Sequence, residues 1–454
     1  MSYDHTQSSS APIKPSALAL LPLAVFLALF IGVGSYLTWQ GIDFAFYQLP
    51  APVAALPAVL LAILLSKDKL NQSIESFMRG VGHSDIIAMC MIYLLAGAFA
   101  AVAKATGGVD ATVNLGLSLL PASLILPGIF VIAAFIATAM GTSMGTIAAV
   151  GPVALGIAEV AGLDKALTAG VVLSGAMFGD NLSIISDTTI AATRSQGCAM
   201  RDKFRENIAI AIPAAIAAIL LFLFHSAPSE VPTVTRIEWL KVMPYLTILV
   251  LAVAGLNVFV VLSLGLILAG GVGLLSVSDY GLANWGQDIY AGFGNMQEIF
   301  LLSMLIGGLG ELMRRQGGLA FLTRLMNKLI GAFSKNNGGE PSQRASELGI
   351  AGLVSLTNVC TANNTVAIIV AGSVARELAE QNSVTPRRSA SLLDIFSCVI
   401  QGILPYGAQG LLLGSVFGLS PLTVVSHSYY CFFLAASALI AVFVKHQQRM
   451  AATA

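Results

Sequence analysis

Apolar runs of spanning length recur near residues 17–36, 49–66, 84–104, 205–225, 238–255, 256–275, 297–314 and 421–443. About 20 apolar residues of α-helix cross a hydrocarbon core of ~30 Å, so each run is read as a membrane helix. Four further apolar segments come in two pairs, each split by a small polar cluster. Segments 128–140 and 146–161 flank Gly141-Thr142-Ser143-Met144-Gly145-Thr146, and segments 347–360 and 366–380 flank Thr361-Ala362-Asn363-Asn364-Thr365. Arms of 13 to 16 residues are short for a crossing, which predicts re-entrant hairpins at 128–161 and 347–380.

Two more apolar segments, 166–195 and 387–418, carry polar groups at their centres. The first holds Asp180, Asn181, Ser183, Ser186, Asp187 and Thr188 after the helix-weakening Gly179, and the second holds Gln401, Pro405, Tyr406 and Gln409. Irregular backbone survives at membrane depth only where it lines a cavity or lies within protein. Both segments are therefore read as broken membrane helices.

The segment from Leu94 to Gly108 aligns without gaps on that from Met304 to Gly318. Nearly the same shift lays 141–146 on 360–365, and one residue more lays Gly179-Asp180-Asn181 on Val399-Ile400-Gln401. The repeating unit is span, surface helix (109–121 and 317–335), hairpin and broken span. Basic residues follow the first broken span (Arg194, Arg201, Lys203, Arg205) but not its counterpart at 414–420. After the hairpins the bias reverses, with Arg376, Arg387 and Arg388 in the second copy against Lys165 in the first. Positively charged loops stay cytoplasmic, so the copies are read as inverted.

The expected fold is an all-α polytopic membrane protein with two inverted repeats and about ten crossings. Its expected divisions are a cytoplasmic tail (1–14), N-terminal spans (15–76), repeat one (77–204), linking spans (205–292), repeat two (293–420), and a last span with cytoplasmic tail (421–454). Loops bearing Lys67, Lys69 and Arg79, or Arg314 and Arg315, are expected inside with both termini, and the 226–236 loop outside.

Composition narrows the functional classes. The 454 residues are 56% hydrophobic and 10% charged, with a mean hydropathy of +0.84 and zero formal charge. Soluble domains carry about 25% charged residues. No basic excess points to nucleic acid, no P-loop pattern to ATP, and the five histidines and five cysteines show no metal spacing. An enzyme and a resident cofactor are not expected.

What remains is a set of oxygen ligands of the kinds hard cations take. The candidate ion-binding residues are Asp180, Asn181, Ser183, Asp187, Thr188, Asn363, Asn364 and Thr365. Candidates for the substrate or a second site are Thr142, Ser143, Thr146, Asp394, Gln401, Pro405, Tyr406 and Gln409. The bland readings are close helix packing for the small hydroxyl residues and a surface cap for Asn363-Asn364. Asp394 is either a second titratable group or a structural hydrogen-bonding residue. Glu311, near Arg314 and Arg315, reads as half of an interfacial ion pair, and Glu159 and Asp85 as helix-end residues.

The string from Phe178 to Thr189 (FGDNLSIISDTT), with the tip 141–146, resembles the NhaC-type sodium/proton antiporter family of the ion-transporter superfamily. The stretch from Asp394 to Gln409 resembles the matching C-terminal part of that family, and the likeness extends over about 77–420. The resemblance implies an elevator-like transporter with a scaffold, a mobile part bearing hairpins and broken helices, and sodium at the hairpin tips. Asn363-Asn364-Thr365 is similar to the Ser-Asn-Thr signatures of the superfamily, whereas the first tip has Met144-Gly145 where an Asn would stand.

The expected function is Na+/H+ antiport across the bacterial inner membrane, with Na+ and H+ as transported or coupling ions. The alternative is Na+- or H+-coupled transport of a small carboxylate or amino acid. Expected partners are membrane lipids, the small ion or solute, and a second copy in a homodimer, with no nucleic acid.

Overall fold

With so few polar side chains to solvate a backbone, the chain satisfies its N–H and C=O groups internally, and all secondary structure among the described residues is helical. The computed structural model describes residues 14–42, 48–119, 121–183, 186–225, 237–335 and 343–453. Most of the N-terminal tail, the 226–236 loop, and Ile184-Ile185 at the centre of the first break lie outside them.

The protein is a polytopic α-helical membrane protein. Among the described residues seven helices are long and apolar enough to span a membrane, or eight if Leu282–Asn295 and Gln297–Arg315, bent by 45° to one another, count as one span. Others in the expected windows are shorter: Ala51–Leu64 has 14 residues and Trp239–Val253 has 15. The last long helix begins at Tyr429 rather than 421, after a separate turn of helix, Pro421–Ser426.

The first hairpin consists of Ile125–Met140 and Ser143–Ala161, the second of Gln343–Thr361 and Asn364–Gln381. These arms run to 16–19 residues, so the premise that they are too short to cross does not hold, and Ser143–Ala161 passes as a span by length. The placement of the first tip carries more weight. Ser143 packs against Asp180, near the midpoint of the 32-residue broken span Lys165–Gln196.

The broken spans are Lys165–Leu182 with Asp187–Gln196, and Pro386–Ile403 with Ala408–Phe417. Local chemistry sets their ends and those of the second hairpin arms. Asp164 caps the first (Leu167 N–H to Asp164 Oδ1, 2.7 Å), and Ser186 restarts it after the break by accepting from the Thr189 N–H at 3.2 Å. Thr142 and Asn363 cap the second arms of their hairpins by accepting from Gly145 and Val366 N–H.

The two halves share their left-handed turns. Gly107 (φ 75°) answers to Gly317 (φ 89°), Gly141 (69°) to Ala362 (49°), Gly162 (65°) to Ser383 (56°) and Gly197 (70°) to Gly418 (64°). The first pair is 210 residues apart, as the alignment of 94–108 on 304–318 has it, and the other three are 221 apart. This corrects the alignment of tips and breaks by one or two residues. Asp180 corresponds to Gln401 rather than Ile400, Thr142 to Asn363, Ser143 to Asn364 and Thr188 to Gln409. Residue identity misled because short apolar strings match in several registers, whereas a backbone turn has one. Glycine permits φ > 0 without steric cost, so Ala362 holds the strained member of the tip pair.

Corresponding elements also pack reciprocally. Asp187–Gln196 lies against Asn364–Gln381, and Ala408–Phe417 against Ser143–Ala161. Outside this centre, helices approach through glycine. A Cβ on Gly97 would fall 2.3 Å from the Gly292 carbonyl oxygen, and one on Gly80 would fall 2.4 Å from that of Gly307.

Contacts distant in sequence join several segments near the expected cytoplasmic loops. The Ser16 N–H donates to the Gly317 carbonyl (3.0 Å) and Gln316 Nε2 to the Ala62 carbonyl (2.7 Å). Gln196 Nε2 donates to the Gly372 carbonyl at 2.8 Å, and Arg387 pairs with Glu206 at 3.4 Å. Arg388 is a correction: it is buried, donating through Nε and Nη2 to Glu347 Oε2 at 3.0 and 2.9 Å, and is no free surface charge.

Candidate functional site

Both hairpin tips and both breaks converge on one cavity of about 110 Å³. The first half contributes Gly141, Thr142, Ser143, Met144, Asp180, Ser186, Asp187 and Thr188, and the second Asn363, Asn364, Thr365, Gln401 and Gln409. The helix Ser84–Ala105 closes it with Asp85, Ala88, Met89 and Ile92. Among the described residues the lining holds three carboxylates, several hydroxyls and amides, and no Lys, Arg or His.

Asp180 is the buried acid of this set, 4% exposed. Its Oδ1 accepts the Ser143 backbone N–H at 3.1 Å. Ser143 is the first residue of its helix, whose N-terminal N–H groups carry the positive end of the macrodipole. The close approach needs Gly179, where a Cβ would fall 2.2 Å from the Ala137 Cβ and 2.6 Å from the Thr138 nitrogen. Asp187 is exposed at the cavity edge, and Thr188 is buried with its hydroxyl 3.1 Å from Ser186 Oγ.

A chain of amides ties one tip to the other through the second break. Gln409 Nε2 donates to Ser143 Oγ (3.0 Å), Gln401 Nε2 to Gln409 Oε1 (2.8 Å), and Gln401 Nε2 also to the Ala362 carbonyl (3.2 Å). All three side chains are buried. Asn363 Oδ1 is engaged in its cap, and Asn364 Oδ1 accepts the Thr365 N–H at 3.0 Å.

Several candidates lie off the cavity. Asn181 directs Nδ2 to the Met177 carbonyl (2.9 Å) and Tyr430 Oη (3.4 Å). Thr146 Oγ1 donates to the Thr142 carbonyl within its own helix, and Ser183 is used through its carbonyl, which accepts from Thr189 Oγ1. Pro405 is buried but does not line the cavity, and Tyr406 turns to the Val359 carbonyl (2.6 Å) and the edge of Phe26. For Asn181 and Thr146 helical geometry is the reason, since neighbours 100° apart cannot all face one cavity, whereas Ser183, Pro405 and Tyr406 lie in the breaks themselves, where the backbone is not helical.

Asp394 also lies off the cavity, in a buried ion pair. Lys203 Nζ is 2.8 Å from Asp394 Oδ2, and both side chains are wholly buried. Asn207 Nδ2 donates to the same oxygen at 2.7 Å. Lys203 Nζ further donates to Thr189 Oγ1 (2.7 Å) and the Asn181 carbonyl (3.2 Å), which Asn207 Nδ2 also reaches at 2.9 Å. One ammonium thus braces both sides of the first break against the second broken span.

Sequence reasoning counted Lys203 among the loop charges and passed over Asn207. The signal was the i, i+4 spacing of the two, which extends the buried stripe of Ile210, Ala211, Ala214 and Ala218 toward the start of Met200–His225. Asp85 and Ser186 were likewise missed as cavity residues. Asp85 opens an apolar helix, and nothing in its own segment says which neighbour it faces.

Comparison with known proteins is consistent along the chain. A family profile described as the Na+/H+ antiporter family matches residues 9–227. The Na(+)/H(+) antiporter NhaC of Bacillus subtilis is 23% identical, the match covering 80% of this chain and 84% of that one. The arginine/ornithine antiporter ArcD of Halobacterium salinarum is 23% identical over 90% of this chain and 88% of its own. The malate-2H(+)/Na(+)-lactate antiporter of Bacillus subtilis is 22% identical over 93% of each chain.

Proposed function

We propose that the chain is an NhaC-type Na+/H+ antiporter that exchanges sodium for protons across a bacterial plasma membrane through the cavity at Asp180, a reading supported by the family profile over residues 9–227 and by a 23%-identical relative. The observation that carries this is the lining itself: a buried carboxylate on a helix N-terminus, ringed by hydroxyl and amide oxygens, with no cationic side chain. A carboxylate that binds either a proton or a sodium ion makes the two mutually exclusive. Each tenfold of competition corresponds to about 1.4 kcal/mol. Asp180 is the coupling residue in this reading, and the oxygens of Ser143, Ser186, Thr188 and Asn364 are available to complete the shell of a hard cation.

The two halves act as inverted repeats, a reading supported by the common spacing of their turns and by their reciprocal packing. Hairpins and broken spans form the moving part, and the N-terminal and linking spans form the scaffold, in an elevator-like cycle with both termini cytoplasmic. The first and second repeats are 77–204 and 293–420. Asp85, on the opening span of the first repeat (Ser84–Ala105), borders the cavity from outside the hairpins and broken spans.

A second reading is carried by the same lining. Two relatives of similar coverage are named for organic solutes, and three carboxylates without a cation suit a cationic amino acid better than a dicarboxylate. Proteoliposomes separate the two. With no organic solute present, added sodium is expected to collapse a preformed pH gradient in wild-type vesicles and not in Asp180→Asn vesicles. Exchange of labelled arginine without any sodium response would overturn antiport in favour of the second reading.

A further inference from the structure

The amide chain across the cavity has a fixed direction. The Ala362 carbonyl can only accept, so the Gln401 amide must present Nε2 to it, and the same nitrogen lies 2.8 Å from Gln409. Gln409 must then offer Oε1 to Gln401 and Nε2 to Ser143 Oγ, as found. Both hydrogens of the Gln401 amide are thereby spent. Its Oε1 is left buried and without a partner, in a residue 1% exposed that lines the cavity. A buried acceptor with no donor is costly, and native proteins seldom leave one unless something else fills the place.

The position of Gln401 gives that oxygen a meaning. It stands 221 residues after Asp180, the spacing of the left-handed turns that relate the two tips and the two breaks. At corresponding helix positions the first half thus gives the cavity lining the carboxylate of Asp180, and the second a neutral amide whose oxygen its own hydrogen bonds leave without a partner.

We infer that Gln401 Oε1 is a direct ligand of the transported cation together with Asp180, and that a neutral oxygen at this position makes the site selective for a monovalent ion. The inference rests on the antiport reading above and adds to it the second half's contribution. Gln409 and the Ala362 carbonyl are positioning groups: they fix which face of the amide meets the ion. Neutral oxygens suffice to complete the shell of a hard monovalent cation beside a carboxylate. With Asp85 and Asp187 already at the cavity alongside Asp180, a further carboxylate at the Gln401 position would raise the charge facing the ion and favour divalent ions or protons.

The test uses purified full-length protein, measuring cation-dependent thermal stabilisation for Na+, Li+, K+ and Ca2+, together with sodium-driven proton movement in proteoliposomes. Gln401→Met, which keeps length and removes the oxygen, is expected to weaken sodium binding at least about tenfold and to change the Na+/Li+ ratio. Gln401→Glu is expected to bind Ca2+ that wild type does not. Gln409→Met removes one of the two positioning groups but retains the Gln401 amide, and is expected to weaken Na+ and Li+ together without altering their ratio. If Gln401→Met folds and binds sodium with wild-type affinity and ion ratio, the inference is overturned. Should it fail to fold, Gln401→Glu decides: an unchanged ion preference overturns the inference equally. A wild type that shows no sodium response in either assay refutes the antiport reading instead. A wild-type response lost in Asp180→Asn but intact in both Gln401 variants refutes this inference alone.

Discussion

Removing one member of the Lys203–Asp394 pair strands the other inside the protein. Both side chains are wholly buried, the pair is 2.8 Å apart, and the lysine's remaining hydrogen bonds go to neutral oxygens, Thr189 Oγ1 and the Asn181 carbonyl. Breaking a buried pair from one side costs about 3–5 kcal/mol, because an unpaired charge is left behind. Replacing both partners with apolar groups of similar volume is often neutral or stabilising. Asp394→Asn, and equally Lys203→Met, is therefore expected to lose about 3–5 kcal/mol, while Lys203→Met/Asp394→Leu recovers about 2–3 kcal/mol of it as coupling. Thermal unfolding in detergent, together with the yield of monodisperse protein, reads the three variants against wild type. Because Lys203 spans the break at Asn181 and Thr189, the double variant is expected to fold yet to transport poorly, which separates bracing from global stability. An Asp394→Asn protein of wild-type stability with a displaced pH profile would refute this reasoning and restore Asp394 as a titrating group in the cycle.

Competition at Asp180 predicts a sign for pH: as protons become scarcer the apparent KM for sodium falls, and in Asp180→Asn transport is lost or the KM rises at least about tenfold and becomes insensitive to pH, as proteoliposome assays at stepped pH would show. Asp180→Glu keeps the charge and retains partial activity with altered ion preference; activity of Asp180→Asn equal to wild type at every pH would move coupling elsewhere. Gly179→Val is expected to abolish transport and lower yield, since even a Cβ would meet the Ala137 side chain at 2.2 Å and the Thr138 backbone at 2.6 Å; a well-folded active variant would mean that the first hairpin does not pack there. In sealed cells, a cysteine at the Gly418 turn should label from outside and one at the Gly197 turn should not; labelling of both from one side would sink the inverted arrangement.

The chain's own pattern was sufficient for whatever depends on local cost. Apolar length against bilayer thickness locates helices, and polar clusters within apolar arms locate the breaks: 166–195 and 387–418 were expected, and Lys165–Gln196 and Pro386–Phe417 are found. The convergence of Asp180, Ser143, Asn364, Gln401 and Gln409 on one cavity agrees with the expectation that the tips and breaks belong together. Facing and partnership were not legible, because they depend on which side of a helix packs and against what. Asn181, Thr146 and Tyr406 are as polar as their neighbours, but the first two are turned to Met177 and Thr142 by their positions around a helix, and Tyr406 to Val359 by the turn of the second break. Lys203 and Arg388 carry charges that in sequence mark a loop, and only their burial beside Asp394 and Glu347 makes them internal. The correspondence of Gln401 with Asp180 was also hidden, since small apolar residues align in several registers while a left-handed turn in the folded backbone permits one. What a residue costs in a membrane is a property of the residue; what relieves that cost is a neighbour far away in the chain, and only the tertiary structure supplies it.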